Sequence, residues 1–135
     1  MNRNQDDSWK PTDRELQGKI REFRDLVLLD RWITVDPDQI KRDLDELEDK
    51  FDVETWDPKE LTKLILTITD EIRPVHYHGQ HPPERAYQRE IKGESLYPFC
   101  WDSACFGVRM YFKFALKGKD KGRKAVLVSI HESIR

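Results

Sequence analysis

The stretch Val108-Arg109-Met110-Tyr111-Phe112-Lys113-Phe114-Ala115-Leu116 decides the fold. Val108, Met110, Phe112, Phe114 and Leu116 recur at every second position, with Arg109, Tyr111 and Lys113 between them, which is the period of a strand half-buried against a core. A polar turn, Lys117-Gly118-Lys119-Asp120-Lys121-Gly122, follows. From Ala125 to Glu132, Val126, Val128 and Ile130 alternate with Leu127, Ser129 and His131. Two strands joined by a short turn are antiparallel neighbours. If both apolar sets face one core, Arg109, Tyr111, Lys113, Ser129 and His131 share the opposite, exposed sheet surface. Upstream, Tyr97, Phe99 and Trp101 alternate with Leu96, Pro98, Cys100 and Asp102 and predict another strand.

The first half of the chain has the other periodicity. Thr12-Asp13-Arg14-Glu15 fits a capping box, and Leu16, Ile20, Phe23 and Val27 share one helical face. Asp36-Pro37 and Asp57-Pro58 each pair an N-cap with proline at the first helical position. Behind them run the stripes Ile40, Leu44, Leu47, Phe51 and Leu61, Leu64, Ile65, Ile68, Ile72; Pro74 ends the third helix. The second helix is strongly acidic and reads most simply as a solvated face. Arg31-Trp32-Ile33-Thr34-Val35 is a brief strand or a connector, residues 75–83 a loop, and residues 84–92 either a short helix or extended chain. The expected fold is α+β: three N-terminal helices packed on a small C-terminal antiparallel sheet. The expected organisation is a flexible N-terminal tail over residues 1–11 and a single domain over residues 12–135.

A length of 135 residues suits one domain. Apolar and charged residues each make up 37%, and four Trp, six Phe and four Tyr argue for a packed core rather than disorder. No apolar run approaches a bilayer span, and Met1 to Pro11 contains no signal-peptide core. Cys100 and Cys105 are too few for a disulfide scaffold, and two reduced thiols are expected. These features predict a soluble protein of a reducing compartment. The net charge of −2 hides an asymmetry, −8 for residues 1–72 against +6 for residues 73–135. Such a split suits a basic face that meets an anion; the plain alternative is mutual neutralisation within the fold.

The exposed sheet surface groups a guanidinium, a phenol, an ammonium and an imidazole within reach of one phosphodiester. Such a set can perform metal-independent RNA cleavage, with His131 as general acid or base, Tyr111 positioning or sharing the proton, and cations stabilising the phosphorane. The bland alternative is a row of solvent-facing strand residues. Lys117, Lys119 and Lys121, with Arg123 and Lys124, form a turn that attracts phosphate or guards an edge. His76, His78 and His81 have a spacing that could hold zinc, although a merely His-rich polar loop is the simpler reading and no metal is expected.

The order of the segments resembles the MqsR-type toxins of bacterial type II toxin–antitoxin systems, over about Leu16 to Glu132. It rests on an early helix followed by Arg31-Trp32-Ile33-Thr34-Val35 and on the helix end Leu66-Thr67-Ile68-Thr69-Asp70-Glu71-Ile72-Arg73. The better matches are Met110-Tyr111-Phe112-Lys113-Phe114, similar to the family's Tyr-x-Lys strand, and Val128-Ser129-Ile130-His131-Glu132, similar to its closing strand. The resemblance implies a RelE-like sheet and a cytoplasmic mRNA endoribonuclease that acts on single-stranded RNA, needs no cofactor and is neutralised by a cognate antitoxin protein. It also implies that the family's strand tyrosine falls on Tyr111, its closing-strand lysine on His131 and its post-helix lysine on Arg73, all as catalytic residues. The sheet face and the basic turn themselves supply the expected substrate-binding residues, Arg109, Lys113, Lys117, Lys119 and Lys121. The family's glutamine has no placed counterpart; the matching strip is near Cys100-Trp101-Asp102. Competing expectations are a non-catalytic RNA- or protein-binding module, a His-loop metal protein and a purely structural partner protein.

Overall fold

The computed structural model describes residues 11–51, 53, 57–80 and 82–133; most of the expected tail lies outside them. The three helices start where the sequence signals predict. The helix α1, Asp13–Leu28, opens on a complete capping box between Thr12 and Glu15. The helices α2, Pro37–Lys50, and α3, Pro58–Glu71, are capped by the Asp36 and Asp57 carboxylates, with proline in the first turn. These caps satisfy backbone N–H groups that have no partner within the helix. The strands are β1, Trp32–Thr34; β2, Tyr97–Asp102; β3, Arg109–Lys117; and β4, Lys124–Glu132.

The sheet runs β1-β4-β3-β2, and the pairs β2–β3 and β3–β4 are antiparallel. The expected all-antiparallel sheet is corrected at β1, which pairs parallel with β4 through Trp32↔Ala125 to Thr34↔Leu127. With only three residues and no apolar alternation of its own, β1 gave no sign of direction; the crossover through α2, α3 and the later strands fixes it.

The alternation predicted for β4 is corrected as well. A bulge interrupts the β3–β4 register: Lys113 faces Ser129, but Phe114 faces Leu127, leaving Val128 as the extra residue. Ala125, Leu127 and Ile130 therefore join the helix-side core, whereas Val126 and Val128 point to the other face. The extra residue lets an uninterrupted apolar run serve two cores. His131 keeps the predicted face because it lies beyond the bulge.

The main core fills the space between the helices and one sheet face, with Phe23, Phe99, Phe112 and Phe114 fully buried at its centre. The opposite face is half covered. Residues 84–96 fold as an irregular hairpin, with Ala86 and Glu94 paired through their backbones and Leu96 donating to the Glu84 carbonyl. Its Ala86, Ile91 and Leu96 close a second small core over Val35, Ala115, Val126 and Val128. The ambiguous segment after Pro83 is thus a cover for one end of the sheet.

Not all of the acidic α2 is a solvated face. Asp43 is buried; its Oδ1 accepts from Gln39 Nε2 at 2.9 Å and its Oδ2 from the Ile130 N–H at 3.4 Å. Because β1 pairs only with Ala125–Leu127, that N–H has no strand partner on this side among the described residues. Asp43→Ala should therefore cost about 1–3 kcal/mol in urea unfolding, the penalty of a buried unsatisfied donor. Asp45→Ala, which removes only an exposed pair with Lys41, should stay within about 0.5 kcal/mol.

Candidate nucleic-acid interface

On the uncovered half of the outer face the strand register forms short rows of side chains. Asp102 lies opposite Arg109, Cys100 opposite Tyr111, which lies opposite His131, and Pro98 opposite Lys113, which lies opposite Ser129. Neighbouring strands lie about 4.8 Å apart and residues of one face repeat about every 6.6 Å, so these groups form one compact patch. The Tyr111 and His131 rings stack with centroids 5.0 Å apart and planes inclined by 23°. Both are half-buried, while Arg109 is exposed.

Hydrogen bonding fixes which nitrogen of His131 is available. Its Nδ1 lies 3.0 Å from the Glu132 carbonyl oxygen. A carbonyl only accepts, so Nδ1 carries the proton in the neutral ring and Nε2 keeps a lone pair. For Tyr111, burial above all raises the phenol pKa, helped by Cys100 and Glu84. The phenol therefore keeps its proton and acts as a donor. The Lys113 side chain makes no ion pair or hydrogen bond among the described residues. Arg109 meets Asp102 at 3.5 Å, a loose surface pair.

Arg73 begins the segment that leads from α3 to the outer edge of β2. After α3 the chain turns through a 3₁₀ segment, Pro74–His76, and Tyr77 then pairs with Phe99 on the outer edge of β2. The Arg73 N–H donates to His76 Nδ1 at 2.9 Å. Burial, then the charges of Arg73 and Arg109, lowers the His76 pKa, with Asp102 opposing them. Arg73 is thus tied through His76 to the chain that runs along the edge of β2, and its guanidinium turns back to the Asp70 and Ile72 carbonyls. Lys117, Lys119 and Lys121 are not brought to the patch. They lie at the β3–β4 turn, about 20 Å along the strand from Tyr111, and Arg123 in the same turn is held by Glu22 at 2.7 Å. Gly118 has a φ of 79°, and a Cβ there would meet the Gly122 carbonyl, so this turn needs glycine.

The histidine loop is organised by a tyrosine. The Tyr77 hydroxyl donates to the Gln80 carbonyl at 2.8 Å, and its ring occupies the space a Cβ on Gly79 would need. Among the described residues no three His, Cys, Asp or Glu side chains are grouped to hold a metal; His81 lies outside them. Cys100 and Cys105 are both free thiols, one buried and one exposed.

No family model, curated protein or solved structure matches this chain. Three cavities among the described residues lie elsewhere. A groove of about 350 Å³ runs along α2 and is lined by Thr34, Pro37, Ile40 and Leu44 among others. Hollows of about 110 and 190 Å³ between α1 and the 82–97 segment share Lys19, Ser95 and Tyr97. Tyr111 and His131 line none of them. Their patch lies on the face of the sheet, a setting suited to an extended polymer.

One residue that sequence reasoning missed supports the patch from behind. Glu71, the last residue of α3, accepts from Trp101 Nε1 at 2.8 Å, the Ser103 hydroxyl at 2.7 Å and the Cys105 N–H at 2.8 Å. It ties the end of α3 to the β2–β3 connection. Burial alone would raise its carboxyl, but hydrogen bonds from Ser103, Trp101, Cys105 and Ala104 outweigh it and hold the pKa below the ordinary 4.5. A depressed carboxyl stabilises the fold above the ordinary value, and that contribution is lost as pH falls through the folded-state value. Glu71→Gln should cost about 1–3 kcal/mol at pH 7. Urea unfolding of both proteins as a function of pH should show the gap shrinking as the medium is acidified below pH 4.5. A gap constant with pH would mean that charge plays no part.

Proposed function

We propose that the chain is a metal-independent endoribonuclease acting on single-stranded RNA, with the Tyr111–His131 pair as its centre. The observation that carries this reading is the cross-strand stack of Tyr111 and His131 between two cations, Arg109 and Lys113, on the open half of the sheet. His131 Nε2 takes the proton of a ribose 2′-hydroxyl, and the resulting oxygen attacks the adjacent phosphorus. Arg109 and Lys113 neutralise the phosphorane oxygens. The P–O5′ bond breaks, the Tyr111 phenol gives its proton to the leaving 5′-oxygen, and the imidazolium returns the captured proton to the phenolate through solvent. The products are a 2′,3′-cyclic phosphate and a 5′-hydroxyl, with atoms and charge balanced. Arg73 adds positive charge from the segment beside the β2 edge.

The resemblance to MqsR-type toxins supports the same chemistry and extends the proposal to an mRNA-cleaving toxin held in check by an antitoxin protein, at work in the cytoplasm. Among the described residues no helix is long and apolar enough to cross a membrane. The test is incubation of the full chain with unstructured RNA in EDTA, followed by analysis of the product ends. Cyclic phosphate ends are expected. RNA that binds with a steep salt dependence but stays uncut would assign the face to a non-catalytic RNA-binding module instead.

A further inference from the structure

We propose that the open edge of β1, with the groove that continues it along α2, is a docking surface for a partner protein, which adds an extended segment rich in lysine or arginine to the sheet. This inference stands apart from the RNA reading, because β1 pairs with the 125–127 end of β4 and His131 lies beyond the bulge. The order β1-β4-β3-β2 leaves two edges. The edge at β2 is met by the Tyr77↔Phe99 bridge and by the His78 N–H, which donates to the Pro98 carbonyl at 2.9 Å. The edge at β1 has no such cover among the described residues. Toward β4, the Arg31 carbonyl accepts from the Ala125 N–H at 3.0 Å, and the Val35 N–H donates to the Leu127 carbonyl at 3.4 Å. Backbone groups alternate along a strand, so Ile33 also faces β4, while Trp32 and Thr34 turn both N–H groups and both carbonyls outward. None of these four groups is hydrogen-bonded among the described residues. An edge of this kind accepts a further strand through main-chain hydrogen bonds, and pockets for alternate side chains give selectivity.

The flanks of the edge supply the rest of a strand-binding site. Ahead of β1, at the end of α1, the neighbours Leu28 and Leu29 are 58% and 64% exposed, an apolar pair left in water. Beyond β1, Thr34 itself lines the groove of about 350 Å³, together with the apolar Pro37, Ile40 and Leu44 and the charged Lys41, Asp45 and Glu48. The strand is about 10 Å long, so a segment of about six residues would run from the two leucines along the edge into the groove. Charge selects the occupant. The helix α2 carries six carboxylates against three cations, and of the six only Asp43 is buried. Two of the cations are already held, Lys41 by Asp45 at 3.1 Å and Lys50 by Glu132 at 3.2 Å. This face attracts a cationic chain and repels nucleic acid. The basic turn of this chain, residues 118–123, is closed by a 3₁₀ segment, Asp120–Gly122, and lacks the extended form that β1 needs. A second copy is thus not the occupant; a different protein is.

The probe is a synthetic peptide of about four Lys-Val repeats, long enough to span β1. A Glu-Val peptide of equal length is its counterpart, and the full chain is the target. Amide shifts and amide hydrogen exchange at Trp32 and Thr34 are followed by NMR. The Lys-Val peptide should slow exchange at both amides and bind about tenfold more tightly than the Glu-Val peptide at low salt. Thr34→Pro removes an outward N–H but no ladder bond, and its ring obstructs the edge. It should abolish the protection at Trp32 and leave thermal unfolding nearly unchanged. Asp45→Lys should narrow the preference between the peptides by about two- to fivefold, and it decides the matter should the proline substitution disturb the fold. No saturable binding, shifts confined to the Tyr111–His131 face, equal affinity for the two peptides, or binding unaltered by both variants would overturn the proposal. So would slow exchange at Trp32 and Thr34 in the unliganded chain that fades on dilution, since a second copy would then hold the edge.

Discussion

His131→Ala should lower RNA cleavage in EDTA by about 10²- to 10⁴-fold, the range lost when a positioned general base is removed. The bond from Nδ1 to the Glu132 carbonyl fixes the ring so that Nε2 is the basic atom. The loss should fall on kcat, because the cations that hold substrate remain in place. Stability should change little, since His131 is half-buried and lies outside both hydrophobic cores. Tyr111→Phe, which keeps the stacked ring and removes the donor, should lose less. Cleavage unchanged in both variants would remove this pair from the chemistry. A fall in activity that merely followed a fall in melting temperature would do the same.

Phe114→Ala should destabilise the fold by about 3–5 kcal/mol in urea unfolding. Phe114 is fully buried, and its ring lies 4.5 Å from Phe23, 5.5 Å from Tyr97, and 5.9 Å from both Phe99 and Phe112. Truncation leaves a cavity where α1, β2 and β3 meet and removes several aromatic contacts at once. Against a total stability of about 5–15 kcal/mol for a domain, a loss of this size leaves a sizeable unfolded fraction. Phe51→Ala provides the comparison: Phe51 is only half-buried and pairs with Phe106 at the margin of the core. It should cost well under half as much. Equal costs would mean that the aromatic cluster is not the centre of the core.

The helices were legible because their starts are written in single residues: Thr12, Asp36 and Asp57 cap as their side chains require, and the apolar stripes behind them face the sheet. The strand β3 was legible because both its faces obey one period. The direction of β1 was not, because three residues carry no periodic signal and parallel pairing is decided by where the chain has travelled. Nor was the phase of β4, because Val126, Leu127 and Val128 are all apolar and a bulge between two cores leaves no polar marker. Within the candidate site, the common face of Arg109, Tyr111, Lys113 and His131 followed from alternation. The place of His76 did not, since it depends on a turn after α3 and a single bridge to β2. Glu71 and Asp43 were hidden among many acidic residues; only the packing singles them out, by what each accepts.

The extra residue at Val128 also governs how this chain can be aligned with others. Upstream of it, the core-facing columns on β4 are in phase with Ala125 and Leu127; downstream they are in phase with Ile130 and Glu132. A residue-by-residue match to a homologue with a regular final strand would be out of step on one side. Either its core positions would be paired with surface ones, or the column that belongs to His131 would slide onto Ile130 or Glu132. One gap, opened opposite Val128, restores both halves together.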